Sequence, residues 1–263
     1  MTHDNTTDWV DRRSVLKTSA ALAGISTLGG VSDEAVARKR TPDADDASDI
    51  DPVFGLPLAV GQAVPDGIDP VHVVELDAVE KKKDEDIHEG FPMRPDPENP
   101  DQMVEAEEEF LFDPVGVRIA RGDVVHFKSV AHLHTVTAFH QKWGEAEEFL
   151  KIPTRIPDGT PGFHSPLLME DASWLYTFNE PGVYDIFCLP HVSFGMVQRV
   201  VVTDSETDAA TLSAPSGKTF PNAMAVLTAP ELQPQHIVEA GTVGWGDLTL
   251  QQSPPEETTT TTR

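Results

Sequence analysis

The chain has 263 residues, with 44 acidic against 19 basic and a formal charge of −25. A protein that grips a nucleic-acid duplex needs a positive footprint, so nucleic acid is excluded as a partner, and the carboxylate excess reads as a solvated surface. A single Cys excludes an internal disulfide and any metal centre that needs two bridging thiolates.

Near the N-terminus, Arg12 and Arg13 precede the short apolar run Ala20–Gly30 and the small-residue site Ala35-Val36-Ala37. That pattern predicts a twin-arginine export signal over residues 1–37, which places the mature protein on the extracellular or cell-surface side of the cytoplasmic membrane. No Cys lies near the cleavage site, so lipidation there is not expected. No later apolar run is long enough for a transmembrane segment in the mature chain. Residues 38–70 read as an acidic linker, with too few apolar groups in their first half to offset the entropy of ordering.

The first strand signal is Val71–Leu76, followed over about residues 79–107 by a charged stretch holding Pro95, Pro97 and Pro100, read as a loop insertion. Alternating and β-branched segments then predict strands at Phe110–Phe112, Val115–Ala120, Val124–Ser129 and Leu133–Phe139. Gly144–Leu150 is expected as one short helix, and Pro153, Pro157, Gly159, Pro161 and Gly162 as an irregular loop. Strands are expected again at Trp174–Asn179, Val183–Cys188 and Met196–Thr203, the first two joined by the turn Glu180-Pro181-Gly182. Seven or eight short strands with almost no helix predict an all-β fold, a Greek-key β-sandwich over residues 71–203 with irregular N- and C-terminal extensions. About 130 residues support one core, hence one domain. In the extension 204–252, Pro230–Ala240 reads as a short helix and Val243–Leu248 as a segment packing back on the sandwich. Residues 253–263, with five threonines, read as a low-complexity disordered tail.

The stretch that carries chemistry is Cys188-Leu189-Pro190-His191-Val192-Ser193-Phe194-Gly195-Met196. It sets a thiolate, an imidazole and a thioether in one short loop at the end of a strand. A thiolate, two imidazoles and a weak axial thioether form the ligand set of a blue-copper electron-transfer site. The second imidazole has to come from elsewhere, and His134 in His132-Leu133-His134-Thr135-Val136 is the best candidate. His132 shares a strand face with it and is the competing choice. A lone Cys is more often an inert buried thiol, and Met196 alone would read as core. The spacing of Cys188, His191 and Met196 argues against both.

Other metals and sites fit less well. A thioether is a poor zinc ligand, and no His-Glu-x-x-His arrangement occurs. Copper oxidases place a His beside the ligand Cys to wire two centres together, whereas Phe187 and Leu189 hold those places here. His126, His140 and His164 therefore read as scattered surface histidines.

The segment Tyr184–Met196, followed by Val200-Val201-Val202, resembles the C-terminal half of plastocyanins, pseudoazurins and the halocyanins of haloarchaea. Gly122–Phe127 leading to His134 resembles their first-ligand half. The resemblance covers about residues 71–203. It implies a cupredoxin fold holding one type 1 copper ion, Cu(II)/Cu(I), with His134, Cys188, His191 and Met196 as ligands. It further implies a monomeric, non-catalytic electron carrier that meets redox protein partners transiently. Docking is expected near Leu189, Pro190, Val192 and Phe194, around His191. The acidity is similar to that of proteins from salt-loving archaea. Two positions depart from the pattern: Thr135 stands where an Asn is common, and Gln198 where a Gly is common. The alternatives to a carrier are a subunit of a copper-containing oxidoreductase and a copper storage or delivery protein.

Overall fold

The computed structural model describes residues 50–81, 88–131, 133–143, 152–204 and 211–250. The chain divides into two units, Met1–Thr41 and Pro42–Arg263, and every described residue lies in the second. The export signal, His132, the helix expected at Gly144–Leu150 and the threonine tail lie outside the described residues. Among the described residues no helix is long and apolar enough to cross a membrane.

In chain order the strands are β1 (Leu56–Leu58), β2 (His72–Glu80), β3 (Met93–Pro95), β4 (Met103–Glu105), β5 (Glu108–Asp113) and β6 (Gly116–Ala120). They continue as β7 (Val124–Ser129), β8 (Thr137–Ala138), β9 (Ser173–Thr177), β10 (Gly182–Phe187), β11 (Val197–Thr203) and β12 (Thr242–Val243). Two α-helices follow β11, α1 (Pro221–Leu227) and α2 (Pro234–Ala240). One sheet has the order β1-β9-β7-β2-β5 and the other β12-β6-β11-β10-β8, while β3 and β4 pair separately. β2 runs parallel to β7 and β6 parallel to β11; the other pairs are antiparallel. From β5 to β10 the chain crosses from sheet to sheet at every step, which makes this an all-β Greek-key sandwich.

Side-chain alternation explains the layering. On β7, Val125 and Phe127 point between the sheets and His126 and Lys128 point away; on β9, Trp174 and Tyr176 point inward. The inner core they build also holds Phe112, Phe163, Phe178 and Tyr184. β11 is buried along its whole length because a second core covers its other face. There Val197 and Val201 meet Leu227 and Leu232 of the C-terminal extension, together with Trp245 and Phe91.

The flanking segments are more ordered than their composition suggests. Part of the expected linker is folded: β1 pairs with β9, and Ile50 and Leu58 pack against Val124 and Leu175. The insertion runs partly as β2 and as the β3–β4 hairpin. The expected helix at Pro230–Ala240 is a 3-10 turn, Pro230–Leu232, followed by α2; helix α1 is additional. Val243 pairs with Gly116 and Trp245 is buried, so this segment does pack back. The expected strand Leu133–Phe139 is shorter than its pattern: only Thr137–Ala138 forms strand β8, and His134 makes a separate antiparallel bridge to Leu168.

Candidate metal centre

On β10 the inward side chains are Tyr184 and Ile186, and the same two-residue step carries Cys188, just beyond the strand, into the inner core. Cys188 is fully buried and is the residue from which the 3-10 turn Leu189–Phe194 starts, with Pro190 in its first turn. The loop closes on itself: His191 N–H donates to the Cys188 carbonyl (3.1 Å), Met196 N–H to the His191 carbonyl (3.2 Å) and Cys188 N–H to the Met196 carbonyl (3.1 Å). Gly195 ends the turn at φ +92°, and a Cβ there would lie 2.5 Å from the Phe91 ring. Only glycine suits both the backbone and the space.

His134 reaches the same point from the other side. Its backbone exchanges two hydrogen bonds with Leu168 (3.0 and 2.8 Å), and two residues on, Val136 N–H donates to the Ser165 hydroxyl (2.8 Å). The imidazole is thereby fixed in a fully buried position. His134 Nδ1 lies 3.6 Å from Cys188 Sγ, His191 Nδ1 lies 3.5 Å from it, and the two Nδ1 atoms are 3.3 Å apart. Three donors at those separations leave a centre about 2.0 Å from each, the length of a metal–imidazole bond and slightly less than a metal–thiolate bond. The donors therefore fit a trigonal His2Cys metal site. Among the described residues this is the one group of three or more His, Cys, Asp or Glu side chains close enough to hold an ion.

Met196 is fully buried in the same inner cluster as Cys188. Of the expected quartet, His134, Cys188 and His191 converge on one point, and Met196 is tied to Cys188 through the backbone bond that closes the loop. His191 keeps partial exposure, and its ring stacks on Phe110 at 4.0 Å with the planes 12° apart. Burial pushes the Cys188 thiol up to about 11, although hydrogen bonds from Thr135 and His191 oppose it. The metal-free thiol is therefore protonated at neutral pH, and metal ligation has to displace that proton.

Thr135 takes the position where the resembling families commonly carry Asn, and it does tie the two ligand segments together. Its N–H donates to Cys188 Sγ (3.3 Å) and its hydroxyl accepts the Leu189 N–H (2.8 Å). Gln198 is buried and donates from Nε2 to the Pro114 carbonyl (2.7 Å), which links β11 to the turn before β6.

The loop is also held from outside. Asn222 of α1 donates from Nδ2 to the Ser193 carbonyl (2.8 Å) and the Met93 carbonyl (2.7 Å), and its Oδ1 accepts the Met93 N–H (3.2 Å). Neither Phe110 nor Asn222 carries a sequence signal that ties it to the loop; one lies on β5 and the other beyond the sandwich.

The expected apolar surround of His191 needs correction. Leu189 is 42% exposed and Pro190 is exposed, while Phe194 is half-buried against Phe110 (5.4 Å). Val192 is only 4% exposed because the 3-10 turn points it into the outer core. Leu133, Leu167 and Met169 are exposed instead, each one residue from His134 or from its bridging partner Leu168. The additional histidines stay outside the donor group, but none of them is a freely exposed surface residue. His126 and His164 are half-buried, and burial depresses the pKa of each, helped by Lys128 and Lys142 respectively. His140 is also half-buried.

Residues 101–203, which contain all four candidate ligands, match the family model of copper binding proteins, plastocyanin/azurin family. The sandwich has the cupredoxin fold. Over 95 residues the chain is 33% identical to a pseudoazurin of Paracoccus pantotrophus, which takes in 36% of this chain and 54% of that protein. The chain therefore spans about half the length of the curated relative it matches. A solved pseudoazurin from Sinorhizobium meliltoi is similar over 55% of this chain and 84% of its own, with TM-score 0.32 and 19% identity. A reduced Cu(I) form of an amicyanin mutant is similar over 35% and 73%, with TM-score 0.27 and 21% identity.

Proposed function

We propose that this chain is an exported, mononuclear blue-copper protein that shuttles single electrons between redox partners, with His134, Cys188, His191 and Met196 as ligands. The observation that carries the reading is the triangle of one thiol and two imidazole donors, 3.3–3.6 Å on a side, at the rim of a rigid sandwich. A copper ion held there supplies the redox chemistry, one electron between Cu(II) and Cu(I). His134 and Cys188 exclude water from the inner side, and the closed loop limits how far the donors move, which favours rapid electron exchange over substrate binding. No acid or base of the chain is invoked, so the role is that of a carrier and not a catalyst.

His191 is the candidate ligand with an exposed edge, and Leu189, Pro190, Leu133, Leu167 and Met169 lie within one or two residues of the ligands or of the Leu168 bridge. This apolar rim on an otherwise acidic chain is the proposed docking face for transient redox proteins. Export by the twin-arginine route rests on Arg12, Arg13 and the Ala20–Gly30 run, and the acidity supports a salt-rich surrounding.

The test is an optical spectrum with Cu(II), wild type beside Cys188→Ser. An intense blue thiolate-to-copper band is expected, bleaching reversibly with reductant and absent from the variant. A colourless wild-type protein, whether it takes up zinc or nothing, overturns the reading.

A further inference from the structure

The tie made by Thr135 does not end at the metal loop. Thr135 and Thr137 are two residues apart and share a face, and their hydroxyl oxygens lie 3.2 Å from each other. Thr137 Oγ1 is in turn 2.8 Å from His164 Nδ1. Both threonines are buried, at 3% and 2% exposure, so water does not complete these bonds. A continuous chain of hydrogen bonds thus runs from the Leu189 amide, through two hydroxyls, to a half-buried imidazole on the far side of β8.

A hydroxyl has one proton, so such a chain has a direction. With the His164 proton on Nε2, Nδ1 accepts from Thr137, and Thr137 accepts from Thr135. Both hydroxyl protons then point away from the metal loop. A doubly protonated His164 has only donors, so Nδ1–H donates to Thr137 and Thr137 donates to Thr135. The Thr135 hydroxyl already receives the Leu189 N–H, and its own proton is then released toward the side of Cys188, whose sulfur accepts the N–H of the same threonine (3.3 Å). Hydrogen bonds to a ligand sulfur stabilise its negative charge and tune the potential of the metal it holds.

We propose that Thr137 and His164 are positioning residues for the metal centre: their hydrogen-bond chain sets whether the Thr135 hydroxyl proton points toward His164 or toward the Cys188 sulfur. The effect on potential rests on the blue-copper reading, whereas the chain itself does not depend on a metal. His164 is faced by the Thr137 hydroxyl on β8, by the Val53 carbonyl that accepts its backbone N–H (2.9 Å), and by the 3-10 turn Gln141–Trp143. From that turn come the Trp143 ring at 5.5 Å and the charge of Lys142; His140 lies against the neighbouring Gly162. Burial first, then Lys142, holds the His164 pKa below the ordinary imidazole range, so the switch is expected on the acidic side of neutrality.

The metal-free full-length protein is followed by 15N NMR from pH about 8 to about 4, a range that brackets imidazole titration. In the wild type the Thr135 and Leu189 amide resonances are expected to move with the midpoint of the His164 ring. In Thr137→Val the ring still titrates and those two amides no longer follow; Thr137→Ser restores the coupling. In the copper-loaded protein the reduction potential is expected to rise as pH falls through that midpoint, in the wild type and Thr137→Ser. The rise is lost in Thr137→Val and in His164→Asn, whose amide oxygen accepts as Nδ1 does but does not titrate. Amides that ignore His164 in the wild type, or follow it equally in Thr137→Val, overturn the chain. Coupled amides with a potential that keeps the same pH dependence in all four proteins overturn its action on the metal centre. A protein that shows the amide coupling but takes up no copper sinks the blue-copper reading and leaves the chain standing.

Discussion

The inner and outer cores share the sheet β6–β11–β10 and are held together in different ways. Between the sheets, the contacts are aromatic and aliphatic: Trp174 stacks on Tyr176 at 5.1 Å, and Phe163 meets Tyr176 at 4.1 Å. On the other face, apolar packing is threaded with buried charge. Asp185 of β10 points outward and accepts Arg199 Nε (2.7 Å) and Nη2 (3.0 Å) together with Arg155 Nε (2.9 Å) and Nη2 (2.8 Å). Those two guanidiniums also donate to the carbonyls of Leu232 and Gly217, and so fasten the C-terminal extension to the sheet. The inner core positions the candidate ligands through apolar burial of alternating strand residues, a non-directional force. The outer core positions the loop from behind through directional bonds, and it is the part that single substitutions can break most sharply.

The largest expected effect follows from the Asp185 cluster. Its carboxylate and the Arg199 side chain are fully buried, and Arg155 is nearly so. Asp185→Ala would leave two buried guanidiniums without their carboxylate, at a cost of about 3–5 kcal/mol. Chemical denaturation should show this loss together with early release of the C-terminal extension, read from Trp245 fluorescence. A midpoint within about 0.5 kcal/mol of the wild type would mean that the outer layer is held by apolar packing alone.

The same contrast decides what was legible in the sequence. β7, β9, β10 and β11 announce themselves through alternation or an unbroken Val run, because one or both faces are buried against regular layers. The candidate ligands Cys188 and His191 were readable because loop spacing after a strand translates directly into position, and His134 because it stands in the separate segment His132-Leu133-His134-Thr135-Val136. β1 was not readable: three residues between Gly55 and Ala59 become strand only because β9 offers them an edge. Helix α1 was also missed. Seven residues opened by Pro221 form a helix because Ala223, Val226 and Leu227 find the outer core, and no intrinsic propensity marks so short a segment. Val192 looked like docking surface until the 3-10 turn aimed it inward. The Thr135–Thr137–His164 chain joins residues 27 positions apart, a distance over which spacing carries no signal.

A second prediction sharpens the boundary between the cores at Gly195, where the metal loop touches both. An added Cβ meets Phe91 at 2.5 Å and the Asn222 carbonyl at 3.2 Å, on a backbone with φ +92°. Gly195→Ala should cost about 1–3 kcal/mol from the left-handed backbone and the contact together. In a Phe91→Ala background the contact part disappears and the backbone part persists, so the double-mutant cycle should show a favourable coupling. Strict additivity would place the strain in the loop itself and remove the insertion from its support.

The smallest effect is one of slope and lies at the far edge of the outer core. Glu109 of β5 accepts His88 N–H (3.1 Å), His88 Nδ1 (3.0 Å) and Trp245 Nε1 (2.8 Å), with Lys81 Nζ 3.6 Å away. Burial alone would raise its pKa, but the hydrogen bonds from His88 and Trp245 and the attraction of His88 outweigh burial and hold it below its ordinary value of 4.5. A carboxylate depressed on folding contributes stability that is complete above its unfolded pKa and is lost as pH falls through its folded one. The stability gap between wild type and Glu109→Gln should therefore be constant near neutrality and narrow below pH about 4.5. Asp113 on the same strand is pushed the other way by burial, so the acid limb of the wild type alone mixes two signs. The difference between wild type and variant removes Asp113 and isolates Glu109. Denaturant midpoints taken from pH about 7 to about 3.5 supply it. A gap that stays constant to the acid end would mean that the insertion and the C-terminal extension are joined there by packing of Phe91 on Trp245 and not by the buried charge.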